Sequence, residues 1–222
     1  MKRRPLNIHE LAALQSFGLD PDAICGTAAA VFQKEEYICT AGEPLQAVCL
    51  ISEGVCKSCF QAENGRTLLL GFCRSGDILG DIELLSGSAI TASTVQAVTE
   101  VHCIYLPLET SRDALLSNVA FLRRAGKTLS EKLRRTTQNS ASNILYSLDM
   151  RLCSYISVTQ RKGVWQEKLT QVAEHMGVSY RHLLRTLRHL TDAGLLAPHH
   201  TGGFLILNQH ALEKLGRNLY QS

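Results

Sequence analysis

The stretch from Leu169 to Leu196, LTQVAEHMGVSYRHLLRTLRHLTDAGLL, limits the fold more than any other part of the chain. Leu169, Val172, Ala173 and Met176 recur at spacings of three and four, which predicts a helix with one apolar side against a core. Gly177 ends that helix, because glycine accepts the left-handed backbone found just past a helix, and Ser179 is a suitable N-cap for the next. The chain therefore turns within about three residues, as helix-turn-helix pairs do. In the second helix Leu183, Leu184, Leu187 and Leu190 are predicted to face inward, while Arg181, Arg185 and Arg188 fall on the other side. Ala193-Gly194 closes it.

An α-helix fits the major groove of B-DNA, and arginine can bond a guanine edge at two points. The residues that do so cluster in the first two turns of a recognition helix, which here hold Ser179, Tyr180, Arg181, His182 and Arg185. Arg181 and Arg185 are expected to read base edges. Arg188, Thr170, Gln171, His199 and His200 are expected to hold phosphates and set register. The segment 195–207 reads as strand, Gly202-Gly203 turn and strand, and Val164-Trp165-Gln166-Glu167 as a third short strand. Together these predict a winged helix-turn-helix from about residue 141 onward.

Charge is unevenly placed. Residues 1–107 hold 7 Lys and Arg against 12 Asp and Glu, residues 108–140 hold 7 against 3, and residues 141–222 hold 9 against 5. An acidic front with a basic back fits a sensor joined to a polyanion-binding module. The length suits two compact domains, and no run of about eighteen apolar residues predicts a membrane span. The first residues, Met1-Lys2-Arg3-Arg4-Pro5, are basic but lack an apolar signal core behind them, so a cytoplasmic protein is expected.

From about 20 to 107 the chain reads as short strands between turns: Gly42-Glu43-Pro44, Ser52-Glu53-Gly54, Glu63-Asn64-Gly65, Arg74-Ser75-Gly76-Asp77 and Ser86-Gly87-Ser88. Turns at roughly ten-residue intervals predict an antiparallel roll or sandwich. A helical pattern then runs from about Ser111 to Gln138. Leu115, Leu122, Leu129 and Thr136 recur every seven residues, and Val119, Ala125 and Leu133 widen the stripe. Seven-residue spacing favours pairing with a second helix, so a homodimer seam is expected. The fold class is thus α+β: an N-terminal antiparallel β-roll at 1–107 with a helical segment at its start, a long dimerisation helix at 108–140, and a winged helix-turn-helix at 141–222.

In this order the chain resembles the CRP/FNR superfamily of bacterial transcription regulators. The resemblance rests on Ile51-Ser52-Glu53-Gly54, Glu63-Asn64-Gly65-Arg66, Ser75-Gly76-Asp77-Ile78-Leu79-Gly80-Asp81, the seam helix, and Val172-Ala173-Glu174-His175-Met176-Gly177-Val178-Ser179 with Arg185. Glu83-Leu84 and Gly177-Val178-Ser179-Tyr180-Arg181-His182-Leu183-Leu184 are similar to its YeiL-like branch in particular. The resemblance implies a cyclic-nucleotide-binding-like roll, a central dimer helix, and a homodimer on a palindromic operator, with double-stranded DNA and RNA polymerase as partners.

Cyclic-nucleotide members of that family carry Gly-Glu early in a phosphate-binding segment and Arg-Ser about ten residues later. Here Gly80-Asp81 is followed by Thr91-Ala92, so the guanidinium that would pair with a cyclic phosphate is missing. Cyclic-AMP control is not expected. A different small effector remains compatible, with Ser58, Leu70, Cys73, Leu79, Gly80, Asp81 and Thr91 as pocket positions. Thr136 and Thr137 match where such members contact the nucleotide base.

Seven of the eight cysteines, at 25, 39, 49, 56, 59, 73 and 103, precede the seam helix; the eighth is Cys153. Apolar neighbours predict that most are core residues. Cys56-x-x-Cys59 lies on a predicted strand, where residues three apart face opposite ways, and the N-terminal spacing does not match an iron-sulfur cluster, so no cofactor or metal is expected. A thiol redox signal is carried as one form of control. Only His9 and His102 occur before residue 140, too few for a cupin-type metalloenzyme, and no nucleophile elbow or phosphate loop is present. No catalytic residue is expected. The alternative reading is a signalling dimer that acts through protein partners without binding DNA.

Overall fold

The computed structural model describes residues 1–20, 24–63, 67–200, 202–217 and 219–220. Asn64, Gly65 and Arg66, part of the sequence resemblance, and Thr201 in the wing turn lie outside the described residues. The chain divides into two compact units, 1–60 with 72–134 and 61–71 with 135–222.

The strands up to residue 107 form two antiparallel sheets. One has five strands, side by side in the order β1 (Lys2–Arg4), β2 (Ala28–Phe32), β9 (Val101–Pro107), β4 (Ala47–Glu53) and β7 (Ile78–Leu79). The other has four, in the order β3 (Tyr37–Cys39), β8 (Thr94–Ala97), β5 (Val55–Gln61) and β6 (Thr67–Arg74). The unbroken apolar run of β4 follows from its place in the sheet, because successive side chains face opposite sides and both sides are covered. Val48 and Leu50 join Ile104 and Leu106 of β9 in a core shared with helices, whereas Ala47, Cys49 and Ile51 join Val101, Cys103 and Tyr105 in the core between the sheets. The described strands from β2 to β9 thus form the antiparallel roll that the turn spacing predicts.

Helix α1 (Ile8–Ser16) starts with a capping box in which the Asn7 side chain accepts from the Glu10 amide and the Glu10 carboxylate accepts from the Asn7 amide. Strand β1 before it has no apolar alternation to reveal it; three charged residues pair along the outside of β2, as suits an edge strand. The short helix α2 (Asp81–Ser86) follows β7.

The single helix expected over 108–140 is two helices, α3 (Leu108–Ser117) and α4 (Val119–Leu145). Asn118 makes the break. Its backbone is extended, its side-chain oxygen accepts from the Phe121 amide at 2.9 Å, and its side-chain nitrogen donates to the Gly18 carbonyl at 2.6 Å. Asn118 thereby caps α4, which competes with continuing α3. The seven-residue stripe also divides. Leu115 and Ala125 are fully buried in the helix-covered core with Leu14, Leu84 and Phe121, so they hold the roll instead of a seam. Leu133, by contrast, is 68% exposed.

The second unit contains the later part of α4, then α5 (Leu148–Thr159), β10 (Val164–Trp165), α6 (Leu169–His175), α7 (Tyr180–Asp192), β11 (Leu196–Pro198), β12 (Phe204–Ile206) and α8 (Gln209–Gly216). Its sheet has the order β10-β12-β11 with antiparallel pairing throughout, as the wing pattern predicts. Leu152, Cys153, Tyr155 and Ile156 of α5, Val172 of α6, Leu183 and Leu190 of α7, Leu196 and Leu212 are all buried. Among the described residues no helix is long and apolar enough to cross a membrane.

Candidate nucleic-acid interface and roll pocket

Between α6 and α7 the backbone closes as a Schellman motif. The Val178 amide donates to the Ala173 carbonyl at 3.0 Å and the Gly177 amide to the Glu174 carbonyl at 2.9 Å, with Gly177 at φ +66°. The Ser179 hydroxyl oxygen then accepts from the His182 amide at 3.2 Å, which starts α7. A Cβ at position 177 would meet only Leu68 Cδ1, at 3.6 Å, so there is room for it and the penalty is conformational. Gly177→Ala is expected to destabilise the protein by about 1–2 kcal/mol, the cost of holding an L-residue left-handed. Chemical denaturation checks this, and an unchanged midpoint would mean that the turn relaxes.

Beneath that turn lies Arg151, a buried residue that local pattern does not reveal. Its Nη1 donates to the Met176 carbonyl at 3.0 Å and to Asn143 Oδ1 at 3.1 Å. A guanidinium therefore faces the last carbonyls of α6, where the helix dipole favours a cation. It ties α4 and α5 to the turn that aims α7. The surrounding burial also raises the pKa of the Tyr220 hydroxyl, against the opposing effect of Arg151.

Helix α7 turns Leu183, Thr186, Leu187 and Leu190 inward. Leu184 does not follow the expected pattern: it is 41% exposed, and Thr186 takes the inward place because the buried arc follows 3.6 residues per turn. Arg181, Arg185 and Arg188 are all exposed, and at about 100° per residue they lie within about 60° of each other around the axis. None of the three has an ion-pair partner among the described residues. Ser179 and Tyr180 are exposed beside them, and His182 is half-buried. At the far end of the helix the His189 ring bonds Asp149 at 2.7 Å. Thr170 is exposed and Gln171 half-buried at the start of α6; in the wing the rings of His199 and His200 lie 4.2 Å apart. The interface residues expected from sequence are thus all in one unit.

The expected pocket residues are dispersed more widely. Leu79, Gly80 and Thr91 line a cavity of about 90 Å³ together with Cys39, Glu43, Leu45, Cys49 and Tyr105. Gly80 sits at φ +82°, where a Cβ would press on Leu45 and the Ala47 carbonyl, so the residue type follows from the backbone and its close packing. Ser58 bonds the Ser93 hydroxyl at 3.2 Å, and Cys73 lies in the core between the sheets. Leu70, Thr136 and Thr137 belong to the other unit, where Leu70 accepts from Asn139 Nδ2 at 2.8 Å.

Asp81 is committed elsewhere. It is 1% exposed, and Lys132 of α4 binds both its carboxylate oxygens, at 2.8 and 2.9 Å, as well as the Ile78 carbonyl. Burial raises the Asp81 pKa above the ordinary carboxylate value, and Lys132 opposes that rise. Glu83, also buried, accepts from the Ala92 amide at 2.8 Å, while the Thr91 hydroxyl donates to the Glu43 carbonyl at 2.5 Å. Local pattern does not reveal Lys132 and Glu83 as site residues, since their partners lie 51 and 9 positions away.

Residues 30–118 match the cyclic nucleotide-binding domain family. Among curated proteins, the chain is 34% identical over 184 residues to the regulatory protein YeiL of Escherichia coli O157:H7, covering 83% of each chain. A solved CRP/FNR-family putative transcriptional regulator from Eubacterium rectale superposes with a TM-score of 0.71 at 18% identity, covering 96% of this chain and 95% of that one. A CRP-family transcriptional regulator from Thermus thermophilus gives 0.68 at 19% identity, covering 85% and 96%. These two likenesses bear on the fold, and the relative from Escherichia coli extends the match through most of the sequence. Roll, long helix and winged helix-turn-helix occur in the order that the motifs imply, and the chain belongs to the CRP/FNR family of transcription regulators.

Proposed function

We propose that the chain binds DNA sequence-specifically as a homodimer, with the α7 helices of two subunits in successive major grooves about 34 Å apart. The observation that carries this is the outward face of α7, with three arginines clear of any described carboxylate. Arg181 and Arg185 read base edges, with Ser179, Tyr180 and His182 close by. Arg188, Thr170, Gln171, His199 and His200 meet phosphates. Pairing of two subunits is supported by apolar side chains of α4 left in the open, Val119 at 62% and Leu133 at 68% exposure. RNA polymerase is the protein that such a bound dimer would meet, as the family implies.

The roll's residues do not fit a cyclic phosphate. No arginine stands at Thr91-Ala92, the Ala92 amide is taken by Glu83, and Asp81 is paired with Lys132. An entering anion would approach two buried carboxylates, so control falls to another effector or signal. Direct thiol oxidation is a poor candidate at several positions: burial pushes Cys39 and Cys153 up to about 12 and Cys59 to about 11, which leaves little thiolate at neutral pH.

Selection of binding sites from random DNA, followed by titration of the Arg185→Ala variant, tests the reading. The substitution is expected to cost about 1–3 kcal/mol and to relax preference at one base in each half-site. An equal loss on every sequence would make Arg185 a phosphate contact, and failure of the unaltered protein to bind any duplex at low salt would favour the protein-only alternative.

A further inference from the structure

A larger cavity, of about 570 Å³, lies where β1, the loop before β4, the end of β9 and the start of α3 meet. It adjoins the cavity of about 90 Å³, since Leu45, Gln46 and Tyr105 line both. The smaller one has room for roughly three water molecules. The larger one falls within the range of roughly 300–1,000 Å³ that small-molecule sites occupy.

Four charged side chains line the larger cavity: Arg3 and Arg112, Glu109 and Asp113. Among the described residues none of the four is in an ion pair. Arg112 follows Glu109 by three positions on α3, a spacing at which opposite charges commonly meet, and the two stay apart. Glu109 and Asp113 are four positions apart, so two like charges share one side of α3 at the cavity. Arg3 is held in place, with its guanidinium carbon 3.9 Å from the centre of the Tyr105 ring. Stacking uses a face of the guanidinium and leaves its edge N–H donors for an acceptor. Tyr105 itself is buried, and with Leu45, Pro107 and Leu108 it makes the apolar part of the wall. Exposed charges scattered over a surface are held by water alone. These four are gathered around one cavity of ligand size, beside a stacked aromatic ring.

The balance of sign selects the ligand. A polyanion entering this cavity would meet two carboxylates, and a polycation two guanidiniums. A molecule with one group of each sign finds a partner for both. We propose that the cavity binds a free α-amino acid, with its carboxylate on the edge donors of Arg3 and beside Arg112, its ammonium on Glu109 and Asp113, and its side chain against Tyr105 and Leu45. This rests on the reading that control falls to an effector other than a cyclic phosphate, and it gives that effector a chemical class. Every residue of the site belongs to the first unit.

The test uses the full chain without DNA, in a buffer free of amino acids, and adds pools of the common L-amino acids at about 10 mM while thermal unfolding is followed. At least one pool is expected to raise the melting temperature, and calorimetric titration then identifies the member that binds. The N-acetyl form of that amino acid, which lacks the ammonium, and its carboxamide, which lacks the carboxylate, should each bind about tenfold or more weakly. Arg3→Met, and Glu109→Gln combined with Asp113→Asn, should weaken binding to a similar degree, whereas Arg123→Met, at an exposed position of α4, should not. Hydrogen exchange on the unaltered protein should show protection by the ligand at residues 105–113, a readout that does not depend on any variant folding. Failure of every pool to bind, equal binding of either blocked form, or protection that falls elsewhere overturns the proposal. Duplex binding is measured separately, so failure here leaves the reading of α7 untouched, and failure of DNA binding leaves this site untouched.

Discussion

Lys132→Met is expected to destabilise the roll by about 3–5 kcal/mol at neutral pH, the usual cost of leaving one partner of a buried ion pair alone. The Lys132 side chain is 16% exposed and that of Asp81 2%, so solvent screens the pair little. The variant removes both the contact with the Asp81 carboxylate and the bond to the Ile78 carbonyl. The pH dependence has a definite sign. Asp81 already has a folded-state pKa above its ordinary 3.8, with burial as the main cause. A raised pKa means that the folded state holds the proton more tightly, so the stability it contributes is fully present below the unfolded value and is lost as pH rises through the folded one. Without Lys132 that folded value rises further. The deficit of Lys132→Met relative to the unaltered protein should therefore be largest near neutral pH and shrink as pH falls through the titration range of Asp81. Adding Asp81→Asn should restore most of the loss. Urea midpoints at several pH values measure this; a loss below about 1 kcal/mol that is flat with pH would mean that Asp81 reaches water when Lys132 is gone.

The contrast between that pair and the helix-turn-helix marks what local pattern can reveal. The turn at Gly177 is written in residues within five positions of one another: an apolar stripe, a glycine that accepts positive φ, and a serine that caps. The wing is similarly local, with two short strands around Gly202-Gly203. Lys132 and Asp81, by contrast, meet only because α4 crosses the turn after β7. Arg151 reads as one more surface cation in α5, yet it is buried under the Met176 carbonyl. The break between α3 and α4 is more instructive. A seven-residue repeat and a helix that buries one side on a core give nearly the same spacing, so Leu115 and Ala125 joined the stripe although they pack into the roll. Asn118 was the available signal for the break, a capping residue in the midst of an apolar periodicity. Leu184 stays outside for a related reason, since the buried arc of α7 runs from Thr186 through Leu190 and Leu183 to Leu187, which leaves Leu184 about 60° beyond its edge.

Trp165→Ala is expected to cost about 3–5 kcal/mol, the range for removing a large aromatic side chain from a core. Trp165 is fully buried, and it joins the elements that hold the wing: β10 pairs with β12, the indole ring lies 6.0 Å from that of Phe204, and the indole nitrogen donates to the Thr159 hydroxyl at 3.0 Å. The substitution leaves a cavity where α5 and the wing meet, and it leaves the Thr159 hydroxyl with one partner fewer. Trp165→Phe separates the two effects, because it keeps much of the volume and loses the hydrogen bond; about 1 kcal/mol of the loss should remain from that bond alone, beside a smaller packing term. If α7 and the wing grip DNA together, Trp165→Ala should also weaken binding by the same factor on every sequence, because the wing's expected contacts are to phosphates. Thermal unfolding and duplex titration below the variant's melting temperature measure the two consequences independently. A full-length protein that loses less than about 1 kcal/mol would show that the wing is held by the β11–β12 hairpin without its tryptophan anchor, and a change of base preference would place the wing against base edges.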